Sequence, residues 1–389
     1  MSSTETIRPE VPPGAVPAGW VPPRRTTTAR DVLAMLAVAL IAVAAVGALA
    51  LVLVQVGVGA GVVGTVLAVV PLTVVLLGIR WLDRWEPEPR GALLFGLLWG
   101  AGVAVLVSIV VNDLTLYTVA QATGSLDAGL VASSVVSAPV VEELAKGAGV
   151  LVLFLARRRY FDGVVDGLVY AGVVAAGFAF IENILYFGRA GDALAETFVL
   201  RGLATPFAHL LFTACTGAAL GLAARSRSRH AAWWLFPLGL LGATVGHALW
   251  NATGLVAGSA YLLVFAVVQV PLFAGVVGLT FWLRRQESVV IRHRLAEYAA
   301  AGWFAPHEVE MLASLQRRRT AVGWATRAGG PAAGEAMRQF QRDATTLAFR
   351  RQQAATGRAD LRTHAESERD LLVAVTADRH RVLAAAAPR

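Results

Sequence analysis

Seven side chains with the chemistry of a hydrolytic site fall inside apolar runs of this sequence: Glu142, Glu143, Lys146, Glu182, His209, His247 and Asn251. A charge at the centre of a bilayer costs at least about 2.5–3.5 kcal/mol, so ionisable residues there mark function by default. Glu142 and Lys146 stand four apart, with the acid on the N-terminal side, and Glu143 and Lys146 stand three apart, so both acids reach the lysine on one helix face. Lys146 is the only lysine in the chain, against 33 arginines. A compact ammonium, and not a guanidinium fork, is wanted at that point. One lysine cannot neutralise two glutamates, which leaves a proton, a second cation or hydration to balance the site. The pairs Phe178/Glu182, His209/Thr213 and His247/Asn251 are each spaced by four, so each shares a helix face.

Two imidazoles and a carboxylate form a zinc shell with one position open to water. On that reading His209, His247 and Glu182 are the metal ligands. Glu143 is the base that takes the proton from water for attack on a peptide carbonyl, Glu142 and Lys146 are its supporting pair, and Asn251 steadies the oxyanion. A metal-free version also stands, with Glu143 activating water directly and the histidines stabilising the oxyanion.

These residues need elements that can hold them in lipid. Hydrophobic residues make up 56% of the chain, charged residues 15%, and the mean hydropathy is +0.61, well away from a soluble globular composition. The apolar residues lie in runs long enough to span hydrocarbon as helices. Spans are expected near 31–55, 58–79, 91–111, 130–156, 164–187, 199–224, 232–256 and 260–283. The fold class is all-α, a polytopic bundle of about eight transmembrane helices, with the catalytic core on 130–256. Pro139 and Pro206 stand where they can distort two of the helices.

Arginines follow spans two, four, six and eight and precede span one, as in Arg24, Arg80, Arg157, Arg225 and Arg284, while the alternate loops are poor in positive charge. Positive loops face the cytoplasm, which puts both termini inside a plasma-membrane protein. Residues 1–30 are polar and Pro-rich and read as a disordered cytoplasmic arm. The single cysteine, Cys215, excludes an internal disulfide or a Cys-rich zinc module. Residues 284–389 carry 18 Arg against 11 acidic residues. They read as a solvated cytoplasmic tail near anionic lipid, helical near 289–301, 306–320, 331–353 and 361–384. No recognition motif accompanies the charge, so nucleic acid is not an expected partner.

At Glu142-Glu143-Leu144-Ala145-Lys146 and Phe178-Ala179-Phe180-Ile181-Glu182-Asn183 the chain resembles the PrsW family of intramembrane metalloproteases, whose patterns are EExxK and FxxxEN. His209 with Thr213, His247 through Asn251, and the stretch Asp83 to Pro89 extend the likeness over about residues 60–283. Relatives that process prenylated proteins carry His where this chain has Glu182 and Arg where it has Lys146, which favours the PrsW branch. The resemblance implies cleavage of a membrane-anchored protein, an anti-sigma factor being one such substrate. The motifs HExxH, GxGD and GxSG of other intramembrane proteases are absent. The rival readings are a proton-coupled transporter, since buried Glu, His and Lys also serve as relays, and a non-catalytic scaffold acting through its tail.

Overall fold

The structure, a computed structural model, describes residues 29–158, 161–226, 228, 230–256, 260–356 and 361–386. Among them every regular element is a helix. The expected N-terminal arm lies almost wholly outside the described residues. The first eight helical stretches are α1 (Ala29–Val56), α2 (Val58–Leu82), α3 (Arg90–Thr123), α4 (126–156), α5 (Val164–Arg189), α6 (Gly191–Arg225), α7 (Ala231–Val256) and α8 (261–300). Among the described residues seven helices are long and apolar enough to cross a membrane. The remaining one, α4, is helical throughout and carries Glu142, Glu143 and Lys146. This is a multi-pass helical membrane protein. In lipid a helix satisfies its own backbone, which is why apolar runs of this length take no other form.

The bundle is organised around α5. Of its apolar stretch 78% is buried, against 17% in α1, whose Leu40 and Val54 face outward. Two glycine crossings allow that central position. A Cβ on Gly167 of α5 would stand 2.0 Å from the carbonyl oxygen of Gly217 of α6, and one on Gly217 would stand 2.2 Å from that of Gly167. On the other side, a Cβ on Gly177 would stand 2.0 Å from the carbonyl oxygen of Leu97 in α3. Small residues let membrane helices approach backbone to backbone, where packing must do what water does for soluble cores.

Two spans differ from the sequence expectation in ways that shape the site. α3 does not stop near 111 but runs on to Thr123, because its polar residues turn onto α4: Ser133 and Ser137 donate to the Asn112 carbonyl and side-chain oxygens at 3.0 and 2.8 Å. α6 is interrupted at Thr205–Phe207, after a π-helical turn (Phe198–Ala204) and immediately before His209. Pro206 has no N–H and cannot continue the ladder. α8 also continues past the expected end at 283.

The chain divides into two compact units, with the boundary between Thr280 and Phe281. The second holds the end of α8 and helices α9 (Pro306–Leu312), α10 (Leu315–Ala355) and α11 (Leu361–Ala386). It is packed around its own core and is not the solvated tail expected from composition. Leu295, Leu312, Ala344, Leu347 and Ala348 are fully enclosed. Arg318, also buried, donates to the Leu312 carbonyl at 2.7 Å and to Thr345 Oγ1 at 2.5 Å. α10 bends at Gly329–Gly330, where Gly330 takes a φ of 75° that a side chain would resist. Two expected segments therefore join across this kink, and the expected 306–320 helix breaks at Ala313–Ser314.

Candidate active site

The catalytic candidates converge because their helices place them at one depth. Counted from the Arg-rich ends of their helices at about 1.5 Å per residue, Glu142 lies about 21 Å in, His209 and His247 about 24 Å, and Glu182 about 27 Å. They surround a cavity of about 320 Å³ bounded by α3, α4, α5, α6 and α7, with Glu142, Glu182, His209, His247, Asn112 and Asn251 on its wall.

Lys146 is fully buried and organises one side. Its Nζ lies 2.6 Å from Glu143 Oε1, 3.6 Å from Glu142 Oε2 and 3.2 Å from His209 Nδ1, and 4.2 Å above the centre of the Phe178 ring. An ammonium has donors only, so Nδ1 of a neutral His209 accepts and Nε2 carries the proton. That Nε2–H donates to Glu182 Oε2 at 2.6 Å. Both nitrogens of His209 are engaged.

Glu143 is enclosed, with no exposed surface. Besides Lys146 it accepts from Thr213 Oγ1 at 2.9 Å and from His247 Nδ1 at 3.1 Å. This fixes the tautomer of a neutral His247 and leaves its Nε2 lone pair open, 3.9 Å from Glu142 Oε2. Glu142 is the acid that faces the cavity. Asn112 Nδ2 stands 3.5 Å from its Oε1, and its Oε2 is buried without a hydrogen-bond partner. Adjacent residues on a helix point about 100° apart, so one of the paired glutamates meets the cavity and the other the helix interface. Sequence reasoning had the base at Glu143; the structure turns that residue away from the cavity and Glu142 into it.

Glu182 is held by a residue that sequence reasoning did not single out. Arg201, on the π-helical turn of α6, donates to Glu182 Oε2 at 2.5 Å and to Asn183 Oδ1 at 3.1 Å, with its guanidinium 3.8 Å over the Tyr186 ring. An arginine in an apolar run beside a loop gave little signal. Asn112 was missed for the same reason, having been read as part of a connection. Asn251 donates to the Ser134 carbonyl at 2.8 Å, leaving a second amide N–H for the cavity.

Glu142, His209 and His247 bring one ligand atom each to within 4.8 Å of one another, an arrangement compatible with a metal ion. Glu142 Oε2 and His247 Nε2 fit it as they stand, and His209 joins by releasing one of its two bonds. Glu182 lies beside this set and not within it.

A family model described as PrsW family intramembrane metalloprotease matches residues 88–276. A protein named Protease PrsW from Clostridioides difficile (strain 630) is 30% identical over 152 residues, which cover 39% of this chain and 62% of that one. A protein of the same name from Geobacillus kaustophilus (strain HTA426) is 33% identical over 168 residues, covering 42% and 70%. The matched segment thus spans less than two thirds of the first relative's length. No solved structure matches.

Proposed function

Since this chain belongs to the PrsW family of intramembrane metalloproteases, we propose that it is an intramembrane endopeptidase that cleaves membrane-anchored proteins at the cavity of Glu142. The observation that carries this reading is the position of Glu142 Oε2, buried, without a hydrogen-bond partner and flanked by His247 and His209. A carboxylate so placed is a base for water.

A divalent cation such as zinc, bound by Glu142, His209 and His247, would supply a Lewis acid that acidifies water and polarises the scissile carbonyl. The protein's own parts are separable. Where no cation occupies it, Glu142 accepts the proton as the water oxygen bonds to the carbonyl carbon, and returns it to the amide nitrogen as the C–N bond breaks; holding a cation, its Oε2 would be a ligand and not that base. The second N–H of Asn251 meets the developing oxyanion. Glu143 and Glu182 orient the two imidazoles, as carboxylates behind histidines do. In that metal-free arrangement Asn251 is the donor with an N–H to spare, since His209 Nε2–H is held by Glu182.

With the Arg-rich ends at the cytoplasm, both termini are cytoplasmic and the cavity lies in the outer half of the plasma membrane. Substrates are then cut near their outer boundary, as regulated release of an anti-sigma factor requires. The basic tail contacts anionic lipid. The test compares proteins released from membranes of cells carrying the wild type, Glu142→Gln and Glu143→Gln. Glu142→Gln should abolish release with normal membrane insertion, and metal content of the purified protein reads the cation separately. A full set of released proteins in the Glu142→Gln strain would end the reading.

A further inference from the structure

Beside the catalytic cavity lies a smaller one, of about 50 Å³, bounded by Thr205, Phe207, Ala208, Trp250, Gln269 and Phe273. Thr205, Ala208 and Trp250 also face the catalytic cavity, so the two spaces share a wall. Gln269 is only 5% exposed, and its Oε1 has no hydrogen-bond partner. An amide oxygen buried this way is desolvated without a compensating bond. Gln269 ends a π-helical turn, Phe265–Gln269, of a kind frequent at functional sites.

Across the space runs the interrupted backbone of α6. Pro206 provides no N–H and ends the regular ladder there. Irregular backbone at membrane depth is tolerated where it lines a cavity or is buried in protein. The space therefore offers the Gln269 Oε1 acceptor, has no charged side chain on its wall, and is otherwise mostly aromatic and aliphatic. Its chemical complement is a neutral N–H donor with apolar flanks. A transmembrane helix has its N–H groups engaged internally, but an unwound peptide segment presents them.

α8 can yield to such a segment. Only 11% of its apolar stretch is buried. It meets α6 through the stacked rings of Phe207 and Phe273, 5.2 Å between centres, and through Val276 against the Ala208–Phe212 face. We propose that this space is a substrate-backbone subsite: an unwound segment of a membrane-anchored peptide enters between α6 and α8 and donates a backbone N–H to Gln269 Oε1, beside the cavity of Glu142. The occupant's identity rests on the proteolytic reading, but its binding does not require cleavage.

The test uses full-length protein in nanodiscs with a lysine-flanked Leu/Ala transmembrane peptide, carrying a central Gly-Pro and a photoreactive leucine beside it. Crosslinks should map to residues 204–208 and 265–273, persist in Glu142→Gln, and fall about fivefold in Gln269→Leu, the factor expected for about 1 kcal/mol. The same Gln269→Leu protein should keep or raise its thermal midpoint, since an unsatisfied polar group has been removed. A lowered midpoint would mean that Gln269 is structural, through a buried water, and would overturn the proposal. Crosslinks elsewhere, or equal labelling in Gln269→Leu, would overturn it as well. Persistence of the crosslink in a wild-type protein that releases no substrate would leave the subsite standing and count against the protease reading alone.

Discussion

Replacing Arg201 by Gln should strand a carboxylate. At 2.5 Å the Arg201–Glu182 pair has a gross attraction of about 7 kcal/mol at an effective dielectric of ~20, much of it cancelled by desolvation. Removing one partner of a buried pair nevertheless costs about 3–5 kcal/mol, because the other charge stays behind. The Arg201 side chain is 26% exposed, so water screens part of the loss and about 3 kcal/mol is expected. Glu182→Gln alone leaves Arg201 able to turn toward the cavity and costs less. The double variant should recover most of the Arg201→Gln loss, giving a coupling of about 2 kcal/mol in a double-mutant cycle. Thermal midpoints of the four proteins in one detergent supply the cycle. Release of a membrane-anchored substrate supplies a second readout, which should drop about 10–100-fold in Arg201→Gln, the range for groups behind a site's ligands, with partial rescue by Arg201→Lys. Strict additivity of the four midpoints would refute the claim that Arg201 is there to hold Glu182.

The loop of Asp83 to Pro89 predicts a pH dependence. Burial lifts the Glu88 carboxyl to about 7, against the bond from Tyr170 and the charge of Arg157, and lifts Asp83 to about 6. The folded state binds these protons more tightly than the unfolded one, so stability is greatest below the ordinary carboxyl range and declines as pH rises toward 7. For Glu88 the decline amounts to about 3 kcal/mol at most. The thermal midpoint of the wild type minus that of Glu88→Gln should therefore become more negative between pH 5 and pH 8; a difference that does not move would exclude the burial account. The 18 arginines of residues 284–389 predict that hydrogen exchange in α10 slows when nanodiscs contain phosphatidylglycerol, and that salt reverses the effect. Equal exchange in zwitterionic and anionic discs would remove the lipid contact.

The site was legible in sequence wherever an ionisable residue interrupted an apolar run. Glu142, Glu143, Lys146, Glu182, His209 and His247 stood out because lipid makes such residues expensive. The division between Glu142 and Glu143 was not legible: both lie within one turn of Lys146, and only the azimuth of α4 against α6 and α7 decides which meets the cavity. Arg201 and Asn112 were hidden by their surroundings, since a polar residue next to a loop is ordinary. Their importance appears only when the interrupted α6 and the extended α3 bring them inward. In the tail, charge obscured the core. Leu295, Leu312, Phe340 and Leu347 are sparse among arginines, and their burial depends on four helical segments meeting.

The arrangement resolves into two similar units and one remainder. His247 is held by Glu143, which is paired with Lys146, and His209 is held by Glu182, which is paired with Arg201. In each unit a cation balances a carboxylate, and the carboxylate fixes an imidazole, so each unit can stay charge-compensated in lipid. Glu142 belongs to neither. Lys146 is closer to Glu143, at 2.6 Å, than to Glu142, at 3.6 Å, so the uncompensated negative charge resides on the group that faces the cavity. A carboxylate in that position must be met by a metal cation, by a proton or by hydration. Those are the three things that hydrolysis needs in turn: a Lewis acid, a proton acceptor that becomes a donor, and the water itself. The chemistry therefore follows from an imbalance of one charge, and a variant that restores the balance, such as Glu142→Gln, should make the bundle no less stable while silencing it.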